Sequence, residues 1–248
     1  MSLLANCIAL YKMNDNEASA TVLDAMGNHN GTFNDAGGDP NTDAHDAVGK
    51  INGALEFDGT DDYVEVANHA DLNFGASEAF TICFWMKTAA SQTSTYPGLV
   101  VKLAADASKG YRALLFSDGG ANDGKLKVEC RGVVNQENII SSNIVDDQSW
   151  HFVIYGRKVD GTVFLYIDGA DYQTVSTVTD DLTNTEPFYI GVRRSATDPF
   201  EGTIDAVMIF DKALSEDEVA FLWNGGAGRE TLKIVPIAIH HYKMAGAL

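Results

Sequence analysis

Residues 149–172, SWHFVIYGRKVDGTVFLYIDGADY, decide the fold class of this chain. Two runs of alternating strand-forming residues flank Asp160-Gly161, and Asp168-Gly169 ends the second run. An Asp-Gly pair between alternating runs is typical of tight β-hairpins, because Gly adopts the positive φ that such turns require. The stretch is therefore predicted to be strand, turn, strand, turn and strand. Since both faces of these strands carry apolar side chains, we expect the meander to lie in the middle of a β-sandwich.

The rest of the chain contains further strand-like runs and one helix-like segment. Roughly a dozen strand runs are predicted between residues 6 and 210. Residues 214–223 favour a helix, because Ser215 at its start and Glu218 form the capping-box pattern. Residues 14–50 are rich in Asn, Asp and Gly and are predicted to be a long irregular connection. Many strands with one late helix indicate an all-β sandwich.

The charge balance excludes several classes of partner. The formal net charge is −18, from 35 acidic and 17 basic residues. An acidic surface repels nucleic-acid phosphates and anionic lipids and favours cations, so no nucleic-acid binding is expected. No segment is long enough to span a bilayer, and the first residues lack the pattern of a signal peptide. We therefore expect no membrane insertion.

The three cysteines do not form a disulfide framework. Cys7, Cys83 and Cys130 are odd in number, widely spaced and placed in apolar strand-like runs. This arrangement is typical of buried free thiols, and it matches no zinc-binding spacing.

A set of ordered motifs resembles a known family. The motifs are ALEFDGTDDYV (54–64), FTICFW (80–85), SWHFV (149–153), YIDG (166–169), GTIDAV (202–207), ALS (213–215) and LWNGG (222–226). In this order and spacing they resemble the laminin-G-like, concanavalin A-like lectin/glucanase domains, over about residues 6–228. The resemblance implies a jelly roll of two antiparallel sheets. We expect one domain over residues 1–228, followed by a C-terminal tail at residues 229–248.

The tail has three interpretations. Residues 234–248 are apolar and follow the apparent end of the domain. They are compatible with an extra strand, a linker, or the start of a further repeat. A strand that pairs with a neighbouring molecule would make the tail a means of self-association.

The resemblance also implies a calcium site. Residues 24–31, DAMGNHNG, resemble the family loop that often holds a structural Ca²⁺, and Asp205 resembles the acidic residue that often completes it. The side chains of Asp24, Asn28 and Asp205 are the expected ligands, with loop carbonyls near His29 and Gly31. The alternative is a plain Asp/Asn/Gly turn without metal. His29 by itself is weak support for zinc, since no second spaced His or Cys accompanies it in the sequence.

Catalysis is not expected. Glu56, Asp58 and Asp61 come close to the E-x-D-x-x-E pattern of the enzymes in this superfamily, but the final Glu is missing and Gly59-Thr60 turns the chain. Retaining glycosidases need two carboxylates held about 5–5.5 Å apart. The segment instead matches the turn of the non-catalytic domains, so endoglycanase activity is not predicted.

The function predicted from the resemblance is a non-catalytic recognition module that binds carbohydrate or glycoconjugate. Candidate ligand-binding residues lie in loops: Tyr96, Asn122, Asp123, Arg193 and Arg194. The alternative is a structural or adhesion component, such as a phage or virion surface protein or one unit of a multi-domain surface protein. Both interpretations favour a position outside the cell or on a virion surface, but the sequence itself does not give the location.

Overall fold

The computed structural model describes residues 3–175, 177–194 and 197–232. Its strands are β1 (Cys7–Tyr11), β2 (Thr21–Val22), β3 (Gly31–Asn34), β4 (Asp46–Val48), β5 (Gly53–Asp58), β6 (Tyr63–Val66), β7 (Phe80–Thr88), β8 (Gly98–Leu103), β9 (Gly110–Leu115), β10 (Lys125–Arg131), β11 (Gln136–Ile144), β12 (His151–Arg157), β13 (Val163–Ile167), β14 (Ala170–Val175), β15 (Phe188–Ile190), β16 (Val192–Arg194), β17 (Thr197–Pro199) and β18 (Glu201–Phe210). One α-helix, α1 (Glu216–Trp223), follows them.

Two eight-stranded sheets make up most of the described part of the chain. The first sheet has the order β14-β13-β12-β7-β18-β5-β4, with β1 also paired to β18. The second sheet has the order β11-β10-β9-β8-β15-β6-β3-β2, and β16 and β17 form a separate hairpin. The strand pairs are antiparallel, so the predicted two-sheet antiparallel sandwich of the jelly-roll type is confirmed.

The main core lies between the sheets. It contains Val153 and Tyr155 of β12 together with Tyr111 and Ala113 of β9. A second core covers the opposite face of the first sheet, where Phe152 and its neighbours pack against apolar residues of α1. Because the central strands of the first sheet are covered on both faces, they carry apolar side chains on both faces, as the sequence shows.

The meander has the predicted strands, but its predicted position is wrong. Strands β12, β13 and β14 pair consecutively, and Asp168 and Gly169 both have positive φ (56° and 69°) in the turn that joins β13 to β14. The meander does not lie in the middle, since β14 is the outermost strand of the first sheet. The exposed side chains that alternate along β14 fit this edge position.

The helix begins and ends as the sequence predicts. The Ser215 hydroxyl accepts the N–H of Glu218 and the Glu218 carboxylate accepts the N–H of Ser215, which completes the capping box. Asn224, in the left-handed region at φ 50°, ends the helix. Leu214, Val219 and Leu222 pack on the second core, and this contact places α1 over the first sheet.

The predicted irregular connection over residues 14–50 is wrong in part. It contains β2, β3 and β4, and β3 is paired on both sides. Gly31 opens β3 opposite Val66 of β6. An added Cβ at Gly31 would lie 2.6 Å from the Val64 side chain, so only Gly fits this close approach.

The cysteine prediction is confirmed, because Cys7, Cys83 and Cys130 are buried free thiols. Within residues 3–175, 177–194 and 197–232, no helix combines the length and hydropathy that crossing a bilayer requires. The predicted tail lies almost entirely outside the described residues, which end at residue 232.

Candidate functional site

Asp24 organises the loop between β2 and β3. Its Oδ1 accepts the backbone N–H groups of Leu10 and Met26, both at 2.9 Å. Its Oδ2 accepts those of Asn28 and His29, both at 3.1 Å. A buried carboxylate with four N–H donors is satisfied without a cation, so its role in this structure is to hold the loop.

The other loop residues predicted to bind calcium have different surroundings. Asn28 is exposed and lies at the mouth of a cleft described below. The His29 carbonyl accepts a hydrogen bond from Tyr11 Oη at 2.7 Å, and the His29 side chain is buried. Gly31 belongs to β3, where its backbone pairs with β2 and β6.

Asp205 lies on β18 and is completely buried. Its Oδ2 accepts the N–H of Ile51 at 2.7 Å, whereas its Oδ1 has no partner among the described residues. Burial, and to a smaller degree the carboxylate of Glu230, raise the pKa of Asp205 to about 7. Glu230 Oε1 accepts a hydrogen bond from Asn52 at 2.8 Å, and Glu230 Oε2 lacks a partner in the described part of the chain.

The predicted calcium ligands therefore fall into two groups. Asp24 and Asp205 share no hydrogen-bond partner within the described ranges, and Asp24 offers a cation no unsatisfied oxygen. Asp205 and Glu230 present two unsatisfied carboxylate oxygens in one acidic region, which is the ligand type that Ca²⁺ takes. Asp205 and Glu230 each keep a carboxylate oxygen free for a cation, whereas both oxygens of Asp24 are already occupied by N–H donors. Calcium binding itself stays a prediction.

Two of the predicted ligand-binding residues meet at one end of β8. The Arg193 guanidinium carbon lies 6.0 Å from the centre of the Tyr96 ring, within the range of a cation–π contact. Arg193 Nη1 also pairs with Asp198 at 2.8 Å, and Tyr96 Oη donates to Asp118 Oδ2 at 3.2 Å. We call Tyr96, Arg193, Asp118 and Asp198 the tyrosine–arginine site.

The loop with Asn122 and Asp123 adjoins this site. Asp118 begins the loop, its Oδ1 accepts the N–H of Gly120 at 2.9 Å, and Asp123 Oδ1 accepts that of Gly119 at 3.0 Å. The structure thus brings the Tyr96, Arg193 and 122–123 segments together. Arg194 extends elsewhere, since its Nη2 reaches the carbonyl of Ala104 at 3.5 Å.

A cluster of basic residues lies on the outer face of the second sheet. Glu129 of β10 pairs with Arg112, with Lys127 at 2.6 Å and with Arg131 at 3.6 Å. Burial alone would raise the pKa of Glu129, but Arg112 and Lys127 outweigh burial and lower it. Burial lowers the pKa of Arg112, Glu129 opposes this, and the charges of Arg193 and Arg131 add to the decrease. We call Arg112, Lys127, Arg131 and Arg193 the basic cluster.

Sequence reasoning missed three members of the basic cluster, Arg112, Lys127 and Arg131. The sequence contains a pattern that predicts part of this cluster, since polar residues alternate with apolar ones in KLKVECR, the sequence of β10. Alternation places Lys127, Glu129 and Arg131 on one face, but it does not show which strand brings Arg112 to them.

The near match to a glycosidase motif has a structural role. Asp58 Oδ1 accepts the N–H of Thr60 at 2.7 Å, and Asp62 Oδ2 accepts that of Asp58 at 2.9 Å. These carboxylates hold the turn between β5 and β6. Glu56 lies on the exposed side of β5.

A cleft of about 970 Å³ opens at one end of the sandwich. Its wall includes apolar Ile8 and Phe74 and polar Asn28, Asp71 and Lys158. This volume is within the usual range for small-molecule sites. We call it the end cleft.

Comparisons with known proteins agree with the fold. The model of the concanavalin A-like lectin/glucanases superfamily matches residues 58–220. A comparison with curated proteins found no match.

Similar solved structures include the binding domain of paraclostridial mosquitocidal protein 1, with a TM-score of 0.68 and 17% identity over 90% of this chain and 53% of that one. The botulinum neurotoxin serotype D ligand-binding domain in complex with N-acetylneuraminic acid has a TM-score of 0.68 and 15% identity, over 91% of this chain and 53% of that one. The botulinum neurotoxin DC binding domain in complex with rat synaptotagmin II has a TM-score of 0.66 and 17% identity, over 90% and 52%.

The chain spans about half the length of these three structures, and at such low identity the likeness concerns the fold. The family model, in contrast, covers well over half of the chain and includes the turn that starts at Asp58, the meander and the GTIDAV strand. The chain belongs to the concanavalin A-like lectin/glucanase superfamily.

Proposed function

We propose that this chain is a non-catalytic recognition module that binds an acidic carbohydrate on the outer face of its second sheet. One observation carries the proposal. In a protein of net charge −18, the three basic side chains of Arg112, Lys127 and Arg131 pair with one carboxylate, that of Glu129. The charge of Arg193 acts on Arg112, and the Arg193 guanidinium lies against a half-buried tyrosine ring. Aromatic rings offer an apolar face to a sugar, and guanidinium groups bind carboxylates in bidentate geometry.

The comparisons support the same reading at the level of fold. The similar structures are described as binding domains, and one of them was solved with N-acetylneuraminic acid, an acidic sugar. Asn122 and Asp123 supply amide and carboxylate groups beside the tyrosine–arginine site, as recognition of sugar hydroxyls requires.

A glycan array tests the proposal, followed by affinity measurements on Tyr96→Ala, Arg131→Gln and Arg193→Gln. A hydrogen bond to a charged group contributes about 1.5–3 kcal/mol, so each arginine variant should bind about tenfold or more weakly. Arg229→Gln is the matched control, because Arg229 is exposed beside the end of α1 and contacts Phe221 instead.

Glycan binding that survives all three substitutions would refute this location. If glycan binding is lost only when end-cleft residues such as Asn73 are changed, the binding site is the end cleft. Absence of binding to a broad array of acidic glycans would refute the carbohydrate proposal. Release of reducing sugar from β-glucans would overturn the non-catalytic assignment.

We also propose that a structural Ca²⁺ binds at Asp205 and Glu230. The support is the pair of unsatisfied, buried carboxylate oxygens, one from each residue. A ligand that binds only the folded state at 100 times its Kd stabilises it by about 2.7 kcal/mol. In a chain of this length that corresponds to a rise in Tm of about 5–10 °C.

The calcium experiment compares Tm in excess Ca²⁺ and in chelator. The wild-type protein should lose the stabilisation in chelator, and Asp205→Asn and Glu230→Gln should show none. Asp217→Asn, in the exposed first turn of α1, is the control and should keep it. A Tm that is the same with calcium and with chelator would exclude this ion.

A further inference from the structure

The register of β3 and β6 brings two histidines together that are 40 residues apart in the sequence. Gly31 at the start of β3 pairs with Val66 at the end of β6, and the strands are antiparallel. His29 precedes Gly31 by two residues and His69 follows Val66 by three, so both leave the second sheet at the same end. Their rings lie 4.3 Å apart, centre to centre.

Asp71 completes the group. His29 Nε2 lies 3.3 Å from Asp71 Oδ2, and His69 Nδ1 lies 3.4 Å from the same oxygen. One ligand atom from each of the three residues lies within 4.8 Å of the other two. We call His29, His69 and Asp71 the histidine cluster.

The His29 ring gives independent support for a ligand at this cluster. The His29 side chain is 3% exposed, and its Nε2 has no hydrogen-bond partner among the described residues, although Asp71 Oδ2 is only 3.3 Å away. A buried polar atom without a partner is costly and rare in native proteins. The backbone cannot easily turn the ring away, since the His29 N–H is held by Asp24 and its carbonyl by Tyr11.

The distances between Asp71 Oδ2 and the two histidine nitrogens are those expected between ligand atoms of one metal ion. Two ligand atoms about 2.05 Å from a tetrahedral Zn²⁺ are about 3.4 Å apart, because the tetrahedral angle sets that edge. The two separations from Asp71 Oδ2, 3.3 and 3.4 Å, match this edge. Ligands of one ion point at the ion and not at each other, which explains how the His29–Asp71 pair is close without being hydrogen-bonded.

The cluster is open to solvent on one side. His69 Nδ1 accepts the N–H of Asp71 at 3.3 Å, a long hydrogen bond that a metal would replace. The side chains of His69 and Asp71 are about half exposed, 51% and 54%, and Asp71 also lines the end cleft. Three protein ligands with one position open to solvent are the arrangement of accessible zinc sites.

We propose that His29, His69 and Asp71 bind a Zn²⁺ ion, with water in the remaining position beside the end cleft. Two imidazoles and one carboxylate select Zn²⁺ over Ca²⁺, because Ca²⁺ requires six to eight oxygen ligands. This site is separate from the Asp205–Glu230 region and from the basic cluster, so it stands independently of the proposed function.

Calorimetric titration of the metal-free, untagged chain with Zn²⁺ tests the proposal. The wild-type chain should bind one ion at this site, and His69→Gln and Asp71→Asn should each weaken that binding at least tenfold. Both positions are exposed, so these variants should fold, which their unchanged circular dichroism would verify. Asp43→Asn is the matched control, because Asp43 is an exposed aspartate in the first turn of a short 3₁₀ helix, as Asp71 is.

Two further measurements make the test decisive. Co²⁺ in place of Zn²⁺ should give the visible absorption of a tetrahedral site in the wild-type chain and lose it in His29→Gln. A variant with both His240→Ala and His241→Ala should bind Zn²⁺ with unchanged affinity at this site. Absence of Zn²⁺ binding by the wild-type chain, or binding that is equal in wild type, His69→Gln and Asp71→Asn, would overturn the proposal.

Discussion

Replacement of Arg157 is predicted to destabilise the protein more than replacement of any exposed arginine. Arg157 ends β12 on the inner face of the first sheet and is completely buried. Its guanidinium donates to four backbone carbonyls: to Gly75 at 2.6 Å, Glu78 at 2.8 and 3.0 Å, Val178 at 3.3 Å and Asp180 at 2.7 Å. One side chain thus joins β12 to two loops that no strand pairing connects to it.

The magnitude follows from these contacts. A hydrogen bond to a charged donor contributes about 1.5–3 kcal/mol, but the four carbonyls can regain part of this from water, so the terms do not add. We expect Arg157→Met to reduce the free energy of unfolding by about 4 kcal/mol. Removal of one partner from a buried charged network has a cost of about this size. At about 2–4 °C per kcal/mol, Tm should fall by about 8–16 °C.

The Arg157→Lys variant tests whether the positive charge or the shape of the guanidinium stabilises the fold at this position. Arg157→Lys keeps the positive charge but has one ammonium group with three donors, which reaches fewer of the four carbonyls. We expect a loss of about 2 kcal/mol, between wild type and Arg157→Met. Arg229→Met is the control, and it should cost less than about 1 kcal/mol because Arg229 is exposed.

Urea unfolding followed by tryptophan fluorescence measures these differences. The urea dependence, m, should be the same in all variants, so that shifts in midpoint report stability. If the free energy of unfolding of Arg157→Met lies within about 1 kcal/mol of that of the control variant, the guanidinium is not needed to hold the two loops in place.

Two further predictions concern pH and the C-terminal tail. Burial opposes protonation of His151, but its hydrogen bonds to Asp168 at 2.8 Å and Asp147 at 3.1 Å outweigh burial and raise its pKa above the ordinary 6.5. This contribution to stability is fully present below pH 6.5 and is lost as the pH rises through the folded-state pKa. The stability advantage of wild type over His151→Gln in urea unfolding should therefore shrink above pH 6.5, and a constant or growing advantage would contradict the assignment. If the protein is instead an assembly component that associates through its tail, light scattering should show oligomers that disappear when residues 230–248 are deleted, and monomers in both forms would refute that alternative.

Local sequence patterns were sufficient for the fold class and for several of its parts. Asp-Gly pairs predict turns because the required positive φ is a property of one or two residues, and Asp168-Gly169 confirms this. The capping box of α1 also involves residues only three positions apart. Alternation shows which side chains share a face of a strand, but not whether that face is covered. For this reason the sequence did not reveal that Arg157 is buried.

Sequence by itself determined most of the strands, the hairpin turns, the helix and the family, because these depend on short-range backbone preferences and on motifs in order along the chain. It did not determine β2, β3 and β4, which lie in the segment predicted to be irregular. Tertiary structure alone decided which distant residues meet. It placed Glu230 near enough to Asp205 for its charge to raise the pKa of Asp205, placed Arg112 beside Glu129, and brought His29 to His69 through the Gly31–Val66 register. The physical reason is that strand order and register follow from the packing of the whole core, so they cannot be derived from any single segment.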